Sequence, residues 1–331
     1  MFSCALAYRI ALLQLEATEA AAATQFSAKM EIPMNPTWHG VYPALTTQFR
    51  DDESIDFDAT AAHLDKMIAS GIHGVILLGS VGENTALSYE EKMEVLRAMK
   101  PVVNGRIPLL SGVAENTTRT ACRYAAEAER IGIDGLMVLP AMIYKADRRE
   151  ALTHFRDVAH ASSLPIMIYN NPPSYFVDLT TDCFLELAEE KTLVAIKESS
   201  GDPRRITDLK TALGNRYILF SGVDDLVVES ALLGAQGWVS GLVNAFPDEN
   251  RILWEHCVAG RWTEAIELYR WYTPLLHLDT KIKLVQYIKM CMAEVGLGSE
   301  KTRAPRLRVE GAEREQILGI IRQALATRPK L

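Results

Sequence analysis

Gly71-Ile-His-Gly74-Val75, Gly132-Ile-Asp-Gly135-Leu136 and Gly234-Ala-Gln-Gly237-Trp238 are three copies of one join, each closing a helix-period segment and opening a short apolar run. The first glycine of each copy suits the left-handed conformation that ends a helix, and the second lets the next strand start close under it. Repetition of the join implies a repeating βα architecture. Working outward, β-branched or apolar runs near residues 40–46, 74–79, 107–112, 134–139, 165–170, 193–198, 217–221 and 237–241 predict eight parallel strands joined by helical crossovers. One helix start is explicit: Ser88-Tyr-Glu-Glu91 is a capping box, followed by Met93, Leu96 and Met99 at helical spacing.

An open, doubly wound sheet would alternate in the same way. Eight units within a core of roughly 200–250 residues, with reactive residue types at the C-terminal ends of several strands, favour an α/β fold of the closed (β/α)8 TIM-barrel type. We place the barrel at residues 37–246. After Pro247 no strand-like run appears, and 262–276, 281–295 and 312–326 have helical periodicity. Residues 247–331 are therefore expected to form a C-terminal helical extension, packed on the barrel because no linker separates them. Residues 1–36 form an N-terminal extension, and Met30 and Met34 offer alternative starts just before the first strand.

Composition narrows the function. The 331 residues carry a net charge of −7, which gives no basic field for nucleic acid. No apolar run approaches the ~18–20 residues that span a membrane. The five cysteines are scattered without a CxxC pair, as expected in a reducing cytoplasm, and no two of the seven histidines stand at i, i+4 or i, i+2, so neither a metal nor another cofactor is expected.

Three places can carry chemistry. Leu193-Val-Ala-Ile-Lys197 puts a lone lysine at the end of an apolar strand, where lost hydration lowers its pKa and frees the amine to attack a carbonyl. The alternative is a lysine that leaves the barrel to pair with Glu198 or Asp202. Tyr169 ends the preceding strand and supplies either a proton-shuttling phenol or an aromatic plug for the barrel mouth. Leu78-Gly-Ser80-Val81-Gly-Glu83 offers small residues whose N–H groups approach an anion, with the Ser80 hydroxyl able to hold a carboxylate and relay to Tyr169. The loop Ser221-Gly-Val-Asp-Asp225 carries two acids where a barrel phosphate site would lie, which argues against a phosphate handle.

Gly79-Ser-Val-Gly-Glu83, Tyr169-Asn-Asn-Pro172, Ile196-Lys-Glu-Ser-Ser-Gly-Asp202 and Ser221-Gly-Val-Asp-Asp225 together resemble, in order and spacing, the dihydrodipicolinate synthase and N-acetylneuraminate lyase family. The resemblance runs from about Trp38 to the C-terminus. It implies a class I aldolase-type barrel that assembles as a homo-oligomer, tetramer or dimer, with Lys197 forming the imine and Tyr169 as its acid/base partner. It further implies that Ser80 and the Val81 amide hold the carboxylate of a 2-oxo acid, and that Val239 lies beside the lysine.

Departures from the family's lysine-biosynthetic synthase direct the choice of substrate. Where that enzyme has an arginine for the carboxylate of aspartate semialdehyde, this chain has Ser174, and a hydroxyl cannot replace a bidentate guanidinium. Where it has a Pro-Tyr-Tyr relay, this chain reads Pro140-Ala-Met-Ile-Tyr144, and Val81 stands in place of a relay threonine. Tyr144 is the remaining relay candidate. The expectation is a Schiff-base lyase acting on a 2-oxo acid or cyclic imine carboxylate by aldol cleavage, dehydration or deamination, with a pyrroline-4-hydroxy-2-carboxylate deaminase as the leading candidate. The alternatives are the synthase itself, condensing pyruvate with aspartate semialdehyde, and a non-catalytic 2-oxo acid sensor.

Overall fold

The computed structural model describes residues 36–331, and the proposed N-terminal extension, with Cys4, falls almost wholly outside them. Eight strands appear: β1 (Gly40–Pro43), β2 (Val75–Leu77), β3 (Leu109–Val113), β4 (Gly135–Val138), β5 (Ile166–Asn170), β6 (Leu193–Glu198), β7 (Ile218–Ser221) and β8 (Gly237–Ser240). All pairings between them are parallel, in the order β1-β8-β7-β6-β5-β4-β3-β2. A parallel bridge from Ala44 to Ile76 joins β1 to β2 and completes the ring. Every strand residue is buried, as expected of a parallel barrel covered by helices. The fold is the TIM barrel with C-terminal helices that the alternation predicts.

The glycine joins have a sharper physical basis than their sequence reveals. Gly71, Gly132 and Gly234 do adopt positive φ, as a helix-ending residue requires. The second glycine of each join makes room for an aromatic ring. A Cβ on Gly74 would fall 2.1 Å from the Tyr42 ring, one on Gly135 2.4 Å from Trp38, and one on Gly237 2.1 Å from Phe220. Tyr42 and Phe220 meet edge to face at 5.2 Å inside the barrel, so these glycines let large side chains fill the space between strands. The capping box at Ser88 forms as predicted, with Glu91 N–H donating to Ser88 Oγ at 3.2 Å and Ser88 N–H donating to Glu91 Oε2 at 2.8 Å.

After β8 the chain forms helices at Pro247–Val258, Trp262–Leu276, Leu284–Glu294 and Gly311–Ala326. The segment expected as a helix from residue 281 starts at Leu284 instead. His277–Thr280 makes a 3-10 turn and Lys281 is extended, which carries this stretch to the barrel mouth. The helical extension is also tied to the barrel by a fully buried ion pair, Lys289 Nζ to Glu83 Oε1 at 2.6 Å. Among the described residues no helix is long and apolar enough to cross a membrane.

Candidate active site

The C-terminal ends of the strands open into a cavity of about 590 Å³, lined by residues of β4, β5, β6 and β8, by the segments that follow β1, β2 and β7, and by Asp279, Thr280, Lys281, Ile282 and Leu284. Lys197 lies in its wall near the end of β6, in register with Tyr169 of β5 and Phe220 of β7. Its side chain is buried, and Nζ stands 4.0 Å from the centroid of the Tyr169 ring. The expected alternative of an ion pair is not formed. Glu198 accepts from Asn170 Nδ2 at 3.0 Å and the Ser200 N–H at 2.6 Å, while Asp202 is engaged by Arg204.

Three lysines are buried among the described residues: Lys92, Lys197 and Lys289. Lys92 pairs with Glu115 at 2.7 Å and Lys289 with Glu83, whereas Lys197 makes no salt bridge with any described residue. Burial holds the Lys197 amine below the ordinary lysine range, opposed in part by Tyr175, Asp279 and Asp224. A lysine of this kind can attack a carbonyl or imine carbon. Room for its stem depends on Gly222, where a Cβ would come within 2.7 Å of both Cγ and Cε of Lys197 and 2.0 Å of Ser199 Oγ.

The loop after β2 is strained and tightly held. Leu78 and Glu83 both take positive φ despite their side chains. Asn84 Nδ2 donates to the Leu78 carbonyl at 2.8 Å, Thr47 Oγ1 donates to the Gly82 carbonyl at 2.7 Å, and Lys289 and the Arg303 N–H fix the Glu83 carboxylate. The N–H groups of Ser80 and Val81 donate to no other group among the described residues, and both residues line the cavity. Unengaged N–H groups beside a cavity have the chemistry to hold an anion.

The proton-carrying hydroxyls are arranged differently from expectation. Ser80 Oγ hydrogen-bonds to Tyr175 Oη and has no bond to Tyr169. The Tyr175 ring lies edge to face with Tyr169, centroids 5.6 Å apart, and burial pushes its phenol well above the ordinary tyrosine value. Tyr169 Oη accepts from Asn171 Nδ2 at 2.9 Å, and burial raises its phenol as well, opposed by that hydrogen bond. Tyr144 does not join them. It is 59% exposed, outside the cavity lining, with its hydroxyl donating to Glu150 Oε1 at 3.1 Å. The phenol beside Ser80 thus comes from this chain's own Asn171-Pro-Pro-Ser-Tyr175 turn, one residue beyond Ser174. The Asn171 cap and the prolines that follow it were the available local signal.

Val239 also lines the cavity, as does Ser174. Asp224, expected as a loop acid, points inward. It accepts from Trp238 Nε1 at 2.9 Å, Ser240 Oγ at 2.8 Å and the Leu242 N–H at 3.0 Å, and burial pushes its carboxyl up to about 6. Among the described residues no group of His, Cys, Asp and Glu side chains is arranged to hold a metal ion.

Residues 37–324 match the model of the dihydrodipicolinate synthetase family. The chain belongs to this family. It is 32% identical over 288 residues to the 4-hydroxy-tetrahydrodipicolinate synthase of Staphylococcus carnosus, covering 86% of this chain and 96% of that one. Its fold is similar to the structure of the 4-hydroxy-tetrahydrodipicolinate synthase of Methylacidiphilum fumariolicum, with a TM-score of 0.82, 30% identity, and 88% and 98% of the two chains covered. A chloride-inhibited dihydrodipicolinate synthase of Acinetobacter baumannii, complexed with pyruvate, gives a TM-score of 0.83 at 27% identity, with 87% and 99% covered. As a member of the dihydrodipicolinate synthetase family, the chain is a class I, aldolase-type lyase, which sets aside the non-catalytic sensor.

Proposed function

We propose that this lyase uses Lys197 to open and deaminate a hydroxylated pyrroline carboxylate, with Tyr169 as the acid/base partner and Ser80 and the Val81 amide as the carboxylate cradle. The observation that carries the choice of substrate is the charge of the cavity. Its charged lining is Lys197, Asp279 and Lys281, with no described arginine in the lining and Ser174 exposed to the space. One cradle serves one carboxylate, and the lining holds no guanidinium for another, which suits a substrate whose other end is an amine rather than a second carboxylate.

The chemistry balances without a cofactor. The Lys197 amine adds to C2 of the ring imine, and a proton from Tyr169 releases the ring nitrogen as a free amine, leaving an iminium on Lys197. The Tyr169 phenolate takes a C3 proton to give an enamine, which expels the C4 hydroxyl as water. Shift of the double bond toward C5 makes an imine there. Water hydrolyses that imine to an aldehyde with release of ammonia, and a second water frees Lys197. Tyr175, bonded to Ser80 beside Tyr169, fits a rebuilt relay within one chain.

The names of the relatives favour a second reading, the condensation of pyruvate with aspartate semialdehyde. Two assays decide. Ammonia release from pyrroline-4-hydroxy-2-carboxylate with no turnover of pyruvate plus aspartate semialdehyde supports the deaminase. The reverse pattern establishes the synthase. A homo-oligomer and a cytoplasmic setting complete the reading, the latter fitting the four described cysteines, all of them free.

A further inference from the structure

Asp279 was not distinguished by any sequence pattern, yet it lies in the wall of the same cavity as Lys197. It arrives from the C-terminal region, in the turn His277–Thr280. Going round the barrel, Tyr169 of β5 flanks Lys197 of β6 on one side. On the other side, past Gly222, Asp279 packs against Gly241 at the end of β8. A Cβ on Gly241 would fall 2.3 Å from Asp279 Oδ1 and 2.6 Å from Ile288 Cδ1, so only glycine lets the carboxyl occupy this place.

The surroundings of Asp279 contrast with those of its acidic neighbours. Asp224 has three donors, and Asp225 is paired with His277 Nδ1 at 2.7 Å. Among the described residues Asp279 Oδ1 is buried without any hydrogen-bond partner, and its side chain makes no salt bridge. A buried, unsatisfied polar group costs about 1–3 kcal/mol. Such a cost in a cavity wall beside a reactive amine points to a group reserved for substrate. Burial and the nearby Asp224 raise the Asp279 carboxyl well above the ordinary aspartate value, with Lys197 opposing, the direction that suits a proton donor.

We propose that Asp279 is a second acid of this site, the one that protonates the hydroxyl leaving from C4 while Tyr169 serves C2 and C3. This assignment rests on the deaminase reading and deepens it. In the enamine formed on Lys197, the electron pair of the C2–C3 double bond moves to C3–C4 with its far end expelling the C4–O bond. The Asp279 proton passes to that oxygen and water departs, leaving the Asp279 carboxylate and a conjugated iminium. The carboxylate then takes a proton from C5 as the double bond shifts toward the amine carbon, which restores the acid. Asp279 thus acts on the part of the substrate that separates this reaction from simple imine formation.

The test uses Asp279→Asn, which keeps the shape but cannot donate a carboxyl proton. Wild type and variant are each reduced with borohydride in the presence of pyruvate or of pyrroline-4-hydroxy-2-carboxylate, and the adduct masses on the Lys197 peptide are compared. D279N should form the pyruvate adduct at wild-type yield. With the hydroxylated substrate it should accumulate an adduct heavier by one water than the wild-type adduct, and release ammonia at least about a hundredfold more slowly. Ammonia release within a few fold of wild type overturns the assignment. So does loss of the pyruvate adduct in a variant that keeps the wild-type Tm, because Asp279 would then serve Lys197 itself. If D279N lowers the Tm, Asp279→Ser is judged by the same two adducts. Wild-type enzyme that traps the hydroxylated substrate without losing water or ammonia overturns the deaminase reading, and the assignment falls with it.

Discussion

Lys197 and Lys289 are both buried lysines at the same end of one barrel, and they do opposite things. Lys289 is wholly inaccessible, and its three donors reach Glu83 Oε1, the Thr47 carbonyl and the Lys301 carbonyl at 2.6, 2.7 and 2.6 Å. Lys197 is 6% exposed, faces the cavity, and has for company an aromatic face and two acids, Asp224 and Asp279, neither of which pairs with it. A charge removed from water must be matched by a partner and hydrogen bonds or else be given up as a proton. At Lys289 the matching is complete, and the result is a strut that holds the Ser80–Glu83 loop. At Lys197 it is withheld, which is what the proposed addition to a carbonyl or imine carbon requires. Reactivity here comes from what the fold leaves unpaired.

The largest expected effect breaks the reactive side of the comparison. Lys197→Met should remove the borohydride-trapped pyruvate adduct altogether and lower turnover to background, with little loss of stability since no ion pair is broken. A surviving adduct on another lysine, found by peptide mass mapping, would transfer the Schiff-base role. On the structural side, Lys289→Met leaves the Glu83 carboxylate buried without its main partner and should destabilise the protein by about 3–5 kcal/mol, read as a lower midpoint in denaturant. Its pyruvate adduct at Lys197 should still form while the variant is folded. The double change Lys289→Met with Glu83→Gln should recover part of that loss.

Smaller changes sharpen the contrast. Gly222→Ala drives a methyl group into the Lys197 stem and Ser199 Oγ. It should cut the rate of adduct formation by one to two orders of magnitude through misplaced geometry, while leaving the denaturation midpoint nearer to wild type than Lys289→Met does. Tyr175→Phe removes the hydroxyl bonded to Ser80. It should slow turnover by roughly 10–100-fold, chiefly in kcat, with the adduct still trapped. Tyr144→Phe should change activity least, about twofold or less, because its hydroxyl is engaged by Glu150 at an exposed site. A loss as large as that of Tyr175→Phe would mean that Tyr144 works in a neighbouring copy of the chain.

Much of the frame was legible before the structure. Every strand fell within or beside its apolar run because a buried parallel strand needs such a run and a crossover helix on each side. The Ser88 cap and the helix at Trp262–Leu276 were likewise set by neighbours in sequence. Lys197 and Tyr169 could be placed together since both end adjacent strands, and register brings such ends side by side. The glycine joins announced the repeat, although the aromatic rings that require their second glycine lie tens of residues away.

What the sequence could not supply were the contacts made across the barrel mouth. Ser80 reaches Tyr175 across 95 residues of chain and Lys289 reaches Glu83 across 206, and neither partner has a local pattern that names the other. Asp224 turned out to face inward because three donors from β8 and the turn after it converge on it. The start of the helix at Leu284 moved three residues because His277–Lys283 is drawn over the cavity, where Asp279 enters the wall. Local periodicity and turn chemistry determined the barrel and the position of its reactive lysine, since those depend on near neighbours. Only the tertiary structure decided which polar groups are satisfied and which are left facing the cavity, because that depends on partners brought together by closure of the barrel.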